Sequence, residues 1–150
     1  MNIAVYEQEI TPPLWELLLS ADPDKDAVLG YLPGAQVLVC EIAQQQVGIA
    51  VLVEDAGIHE LKNIAVHDDY QGRGIAKVLI ERVKELAKAS GATMLEVGTG
   101  NSSLSQLALY QKCGFRMHRI ERGFFESYPE PIIENGLHCL DMVRLRADLL

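Results

Sequence analysis

The 150-residue chain contains no run close to the ~20 consecutive apolar residues that a membrane-spanning helix requires. Its first ten residues include Glu7 and Glu9 and no basic stretch leading into an apolar one. No secretory leader is therefore expected, and the cytoplasm is the expected compartment. Cysteine is scarce: Cys40, Cys113 and Cys139 are an odd, scattered set that fits neither a disulfide framework nor a zinc motif. Each is expected to behave as a small buried apolar side chain. Basic residues are outnumbered, 13 Lys and Arg against 21 Asp and Glu, for a net charge of −8. Such a field repels nucleic acid and admits cationic partners, or does no more than keep the protein dissolved. His59, His67, His118 and His138 include no pair at metal-ligand spacing with a third ligand, so no metal site is expected. Internal repeats, low-complexity tracts and linkers rich in Pro, Gly or Ser are absent, and one domain is expected over residues 1–150.

The apolar residues that are present fall into short, well-bounded periods. Residues 3–6 predict a strand. Thr11-Pro12-Pro13 is a helix-start signal for the run at 14–19, and Asp22-Pro23-Asp24 ends it before a second short helix at 25–32. Gln36–Ile42 and residues 47–53 predict two strands, with a hairpin turn at Gln44-Gln45-Gln46. A turn at Glu54-Asp55-Ala56-Gly57 leads to a third strand over Ile58–Val66. Residues 74–90 predict an amphipathic helix, because Ile75, Val78, Leu79, Val83, Leu86 and Ala87 recur at helical spacing. A strand at 93–97, a helix at 103–112 and strands at 115–120 and 138–145 follow, with a long connection over 121–136. This order predicts a mixed α/β sheet with helices on its faces.

The most informative segment is the turn His67-Asp68-Asp69-Tyr70-Gln71-Gly72-Arg73-Gly74-Ile75-Ala76, which runs from a strand into a helix. Glycines there let backbone N–H groups approach a ligand, and the helix N-terminus adds unsatisfied donors and positive partial charge. Arg73 and Lys77 add formal positive charge, so the turn suits phosphates. It also reads as a tight connection with no ligand. A dinucleotide-binding turn would need a third glycine where Lys77 stands, and a P-loop would need the absent Gly-Lys-Ser/Thr.

Gln71-Gly72-Arg73-Gly74-Ile75-Ala76 resembles the pyrophosphate loop of the GNAT acetyltransferases, written Gln/Arg-x-x-Gly-x-Gly/Ala, and the resembling stretch covers residues 60–115. The resemblance implies a mostly antiparallel central sheet of six to seven strands with helices on both faces. It implies acetyl-CoA as co-substrate, no metal, and a small amine or peptide amine as acceptor. Gln71 would head the loop, and the backbone amides of Gly72, Arg73, Gly74, Ile75, Ala76 and Lys77 would bind the pyrophosphate. The backbone of Ile64, Ala65 and Val66 would pair with the pantetheine arm, and the Ile64 N–H would polarise the thioester carbonyl.

In the segment 109–115, Tyr110 matches the family's tyrosine beside the CoA sulfur. A phenol with a pKa near ~10 keeps its proton at neutral pH and can give it to a departing thiolate. The plainer alternative is a core aromatic whose hydroxyl bonds the backbone. Where many relatives carry an asparagine touching pantetheine this chain has Ser103, with Asn101 two residues earlier, and either is a candidate for that contact. The acceptor amine must lose a proton before attack. Glu60 is the candidate base, four residues before Ile64 and expected by the two-residue period to face the same side. Glu96 is the alternative, and a solvated strand-end carboxylate is the plainer reading of Glu60. The implied mechanism is direct transfer in a ternary complex. The connection before the last strand combines Phe124, Phe125 and Tyr128 with Glu126, Glu130 and Glu134. Its carboxylates could hold a cationic amine and Tyr128 could stack on it, or the segment is a proline-stiffened surface loop. Two further readings are a non-catalytic CoA or metabolite sensor and an interaction module whose sheet edge forms a homodimer.

Overall fold

Positive backbone φ at Ala43 and Gln44, at Ala56 and Gly57, and at Asn135 and Gly136 marks three two-residue hairpin turns. The computed structural model describes residues 1–150. Its elements are β1 (Asn2–Val5), α1 (Pro12–Ala21), α2 (Lys25–Tyr31), β2 (Gln36–Ile42), β3 (Gln45–Asp55), β4 (Ile58–Val66), α3 (Ile75–Ala89), β5 (Met94–Gly100), α4 (Leu104–Lys112), β6 (Arg116–Glu121), β7 (Ile133–Glu134), β8 (Leu137–His138) and β9 (Met142–Asp148). Seven strands form one sheet in the order β1-β2-β3-β4-β5-β9-β6, and β7 and β8 form a separate hairpin. Every pairing in the large sheet is antiparallel except β4 with β5. No helix is long and apolar enough to cross a membrane.

Two apolar clusters sandwich the sheet. On one face, Leu14, Leu17 and Leu18 of α1 and Val28 of α2 pack against Val37, Val39, Ile49 and Val51. Thr11 starts α1 by accepting a hydrogen bond from the Leu14 N–H, with Pro12 in the first helical position. On the other face, α3 buries Ile75, Leu79, Ile80, Val83 and Ala87, and α4 contributes Tyr110. Burial of each large aliphatic side chain is worth roughly 1.5–3 kcal/mol, so the α3 stripe fixes the start of that helix firmly against the sheet. The three cysteines are free and buried.

Three boundaries differ from the sequence expectation. The β2–β3 turn is Ala43-Gln44, and Gln45 and Gln46 belong to β3. Glutamine and alanine tolerate this turn poorly, so composition gave no mark of it. Asn135-Gly136 folds β7 onto β8 inside the segment expected to be a plain connection. The last strand consequently begins at Met142, after Asn101 Oδ1 has accepted hydrogen bonds from the N–H groups of Leu140 and Asp141.

Candidate active site

β4 and β5 run parallel but stay in register only at Glu60 with Glu96 and Leu61 with Val97. Beyond that point β4 remains bound to β3 and β5 to β9, and a wedge opens between them. The hydrogen-bond alternation decides what lines it. His67 N–H donates to Val47 O at 2.8 Å, one step past the Gly48–Val66 pair. Antiparallel pairs alternate between bonded and unbonded, so Ala65 bonds β3, while Ile64 and Val66 turn their N–H and C=O groups toward the wedge. On the other wall, Asn101 N–H donates to Asp141 O at 3.0 Å, which by the same alternation turns Gly98 and Gly100 toward the wedge. Val66 O is taken by the Gln71 side chain and Gly100 O by the Ser103 N–H, which leaves amides on both edges and the carbonyls of Ile64 and Gly98 for an extended chain carrying amide bonds of its own.

The glycine turn closes the wide end of the wedge. Gly72 and Gly74 have φ of +77° and +78°, a region that L side chains enter only with strain. Gly74 caps α3 without any side-chain hydrogen bond. The N–H groups of Gly72, Arg73, Gly74, Ile75, Ala76 and Lys77 find no acceptor within the chain, and Val78 is the first to be bonded, to Gly74 O at 3.1 Å. Six consecutive free donors at a helix N-terminus form an anion-binding nest. Gln71 faces inward instead: its side-chain amide donates to Val66 O at 3.1 Å and Asp68 Oδ1 at 3.2 Å, which holds the turn in shape. Arg73 lies over the Tyr70 ring, 4.9 Å from its centroid.

Tyr110 lies on the α3/α4 face, in the same cluster as Ile64, with its ring edge-on to Phe115 at 5.8 Å. Its hydroxyl makes no hydrogen bond within the chain, so the core-aromatic reading with a backbone-bonded hydroxyl does not hold. Burial, and next the neighbouring Cys113, push its phenol above the ordinary tyrosine range.

Glu60 lies on the opposite face from the one expected. The register passes from Val51–Asn63 directly to Leu52–Leu61, leaving Lys62 as an extra, bulged residue. Leu61 and Ile64 therefore share the α3 face. Asn63 instead turns toward α1 and α2, donating to Leu18 O at 3.1 Å and Tyr31 Oη at 2.9 Å. Glu60, one residue before Leu61, points to this same side. Its Oε2 accepts from Arg144 Nη1 at 3.0 Å and lies 3.8 Å from Lys62 Nζ. Glu96, whose strand neighbours Leu95 and Val97 belong to the α3 cluster, also faces away from α3 and pairs with Arg146 at 3.5 Å. Around Glu60 stand Tyr31 and Asp22. Burial is the main cause that raises the Tyr31 phenol to about 12, and the charges of Asp22 and Glu60 add to it. Tyr128 is likewise raised, by burial first and then by the charges of Asp22 and Asp24.

Other expected residues have structural partners. Asn101 spends its side chain on His138 O, Leu140 N–H and Asp141 N–H. Ser103 Oγ and Ser102 Oγ both bond Glu134 Oε1 at 3.1 Å, so through that oxygen Glu134 anchors the β7–β8 hairpin to the start of α4. Glu130 is exposed and has no ion-pair partner. Sequence reasoning missed Asp22, Tyr31, Asn63 and Arg144. Asn63 alone carried a signal, as a polar residue at the start of the apolar run Ile64-Ala65-Val66 in a central strand.

The family model for the acetyltransferase (GNAT) domain matches residues 33–117. The uncharacterized N-acetyltransferase YvbK of Bacillus subtilis is 44% identical over 144 residues, covering 95% of this chain and 93% of that one. A Bacillus subtilis acetyltransferase solved in complex with CoA superposes with a TM-score of 0.94 at 44% identity, covering 99% of both chains. A GNAT family acetyltransferase from Elizabethkingia anophelis with acetyl-CoA bound gives a TM-score of 0.90 at 41% identity, covering 98% of both. With a family model over more than half its length and a relative of this closeness, the chain belongs to the GNAT acetyltransferases.

Proposed function

We propose that this acetyltransferase takes its acyl group from acetyl-CoA and passes it directly to a primary amine, with a small cationic amine as acceptor, and that one domain over residues 1–150 carries the whole activity. The observation that carries the reading is the row of six internally unbonded amides, residues 72–77, at the wide end of the strand wedge. They would hold the diphosphate while the edges at Ile64, Val66, Gly98 and Gly100 hold the pantetheine arm.

In this reading acid and base work from opposite faces of the sheet. Acceptor nitrogen arrives from the α1/α2 side, beside Glu60, Tyr31 and Asp22. Glu60 takes a proton through its remaining oxygen, directly or through water, because Oε2 is occupied by Arg144. The nitrogen forms its bond to the thioester carbon, the Ile64 N–H stabilises the oxyanion, and the C–S bond breaks. One such donor is worth about 3 kcal/mol. Tyr110, across the sheet, gives its proton to the leaving sulfur. Carboxylates at Asp22, Asp24 and Glu60, with Tyr31 and Tyr128 beside them, favour an ammonium-bearing acceptor.

A thiol-release assay with acetyl-CoA against a panel of diamines, amino acids, aminoglycosides and peptides tests this. Release above the rate of acetyl-CoA hydrolysis, fastest with amines carrying a second positive charge, is expected. Binding of CoA without release on any amine would point to a sensor and overturn the reading.

A further inference from the structure

Arg144 reaches from β9 to β4 by crossing β5. Its Nη1 donates to Glu60 Oε2 at 3.0 Å and its Nε to Glu121 Oε1 at 3.3 Å, so one guanidinium ties β4 to β6. The crossing point is Gly98, which stands opposite Arg144 in the β5–β9 register. A Cβ there would meet Met142 Sδ at 2.8 Å, Arg144 Nη1 at 2.9 Å and Arg144 Cζ at 3.3 Å. Gly98 is not among the positive-φ glycines, so it is required for room and not for backbone freedom. It directly follows Val97, the last β5 residue in register with β4. The guanidinium therefore lies over the apex of the wedge, where the four-stranded and three-stranded parts of the sheet separate. Side-chain exposures of 14% for Arg144 and 20% for Glu60 leave the pair only partly screened by solvent. Glu121 is held a second time by Arg119 at 2.7 Å, which anchors the far end of the bridge. The planar guanidinium presents Nη1 and Nε in fixed directions to the two carboxylates, a geometry that a lysine's single rotatable ammonium does not supply.

We propose that Arg144, seated over Gly98, is the positioning residue of the acceptor side: it fixes Glu60 by one oxygen, leaves the other for the amine, and so governs amine capture without touching the acyl donor. This rests on the transfer reading given above. The test is a double-mutant cycle of G98A and R144Q, followed by thiol release with diaminobutane as acceptor and by calorimetry with CoA.

Each single variant is expected to lower kcat/KM for diaminobutane about tenfold, mainly through KM, and R144Q, which lies off the pantetheine edges, is expected to leave the CoA Kd unchanged. In the R144Q background G98A is expected to cost clearly less than in the wild type, because only the contact with Met142 Sδ is left for the new Cβ to displace. R144K, which keeps the charge but not the fork, is expected to recover only part of the loss and replaces R144Q in the cycle should that variant not fold. Additive losses, or a loss of CoA affinity in R144Q as large as its loss of kcat/KM, would overturn the proposal. A wild type that releases no thiol with any amine in the panel overturns the transfer reading, and this inference with it.

Discussion

In the proposed mechanism Tyr110 and Glu60 divide the proton traffic between two faces of one sheet, and the residues on these two faces make separate predictions. The Tyr110 hydroxyl has no partner in the chain and the residue is buried beside Phe115, which raises its pKa and would keep its proton in place until a thiolate formed there. Replacement by phenylalanine keeps the packing on Phe115 and removes the proton. Single-turnover kinetics on Y110F should show the chemical step slowed about a hundredfold or more with the CoA Kd unchanged; an unaltered step would remove the general-acid assignment. Tyr31 provides a stability test. Burial pushes its phenol from the ordinary tyrosine value of 10.0 up to about 12, so the folded chain holds this proton more tightly than the unfolded chain does. That contribution is complete below pH 10 and is lost as the pH rises toward about 12. Thermal unfolding across this window should show a steeper fall in Tm for the wild type than for Y31F.

Among the elements, β4 and α3 carry the site, and the sequence marked them unequally. Ile58–Val66 was legible from its apolar run and flanking turns, and the start of α3 from Gly72 and Gly74, because each reflects a local constraint. The bulge at Lys62 was not legible, since an extra residue in a strand carries no mark of residue type, and it reversed the face on which Glu60 lies. Arg144 was equally hidden: the alternation Met142-Val143-Arg144-Leu145-Arg146 makes both arginines look like outward polar residues. Only the register opposite Gly98 separates them. Asn135-Gly136, by contrast, was a readable hairpin signal that the length of the surrounding segment obscured. The turn itself yields an element-scale prediction. Alanine at Gly74 meets no atom within 4 Å but must adopt φ near +78°, so G74A should cost on the order of 1 kcal/mol in stability. Calorimetry on the same variant should show weaker CoA binding, because the strain tilts the first free amides of α3. A variant with full affinity would mean that the nest does not depend on this backbone shape.

At the scale of the molecule, the acidic surface and the divided sheet set the conditions under which the site works. A net charge of −8 attracts cationic acceptors over a range that salt shortens. Raising salt from about 0.05 to 0.5 M should lower kcat/KM for a diamine far more than for a neutral amine of similar length. Equal dependence would argue that the acceptor is not recognised by charge. The two parts of the sheet share only two positions in register between β4 and β5, so donor binding along both wedge walls should join them and raise Tm. The claim beneath all of this is that residues 72–77 grip a diphosphate. Amide hydrogen exchange of those six residues, with and without CoA, tests it most directly: they should exchange freely in the ligand-free protein and become protected as a block when CoA saturates it. Protection already present without CoA, or none gained with it, would contradict the account.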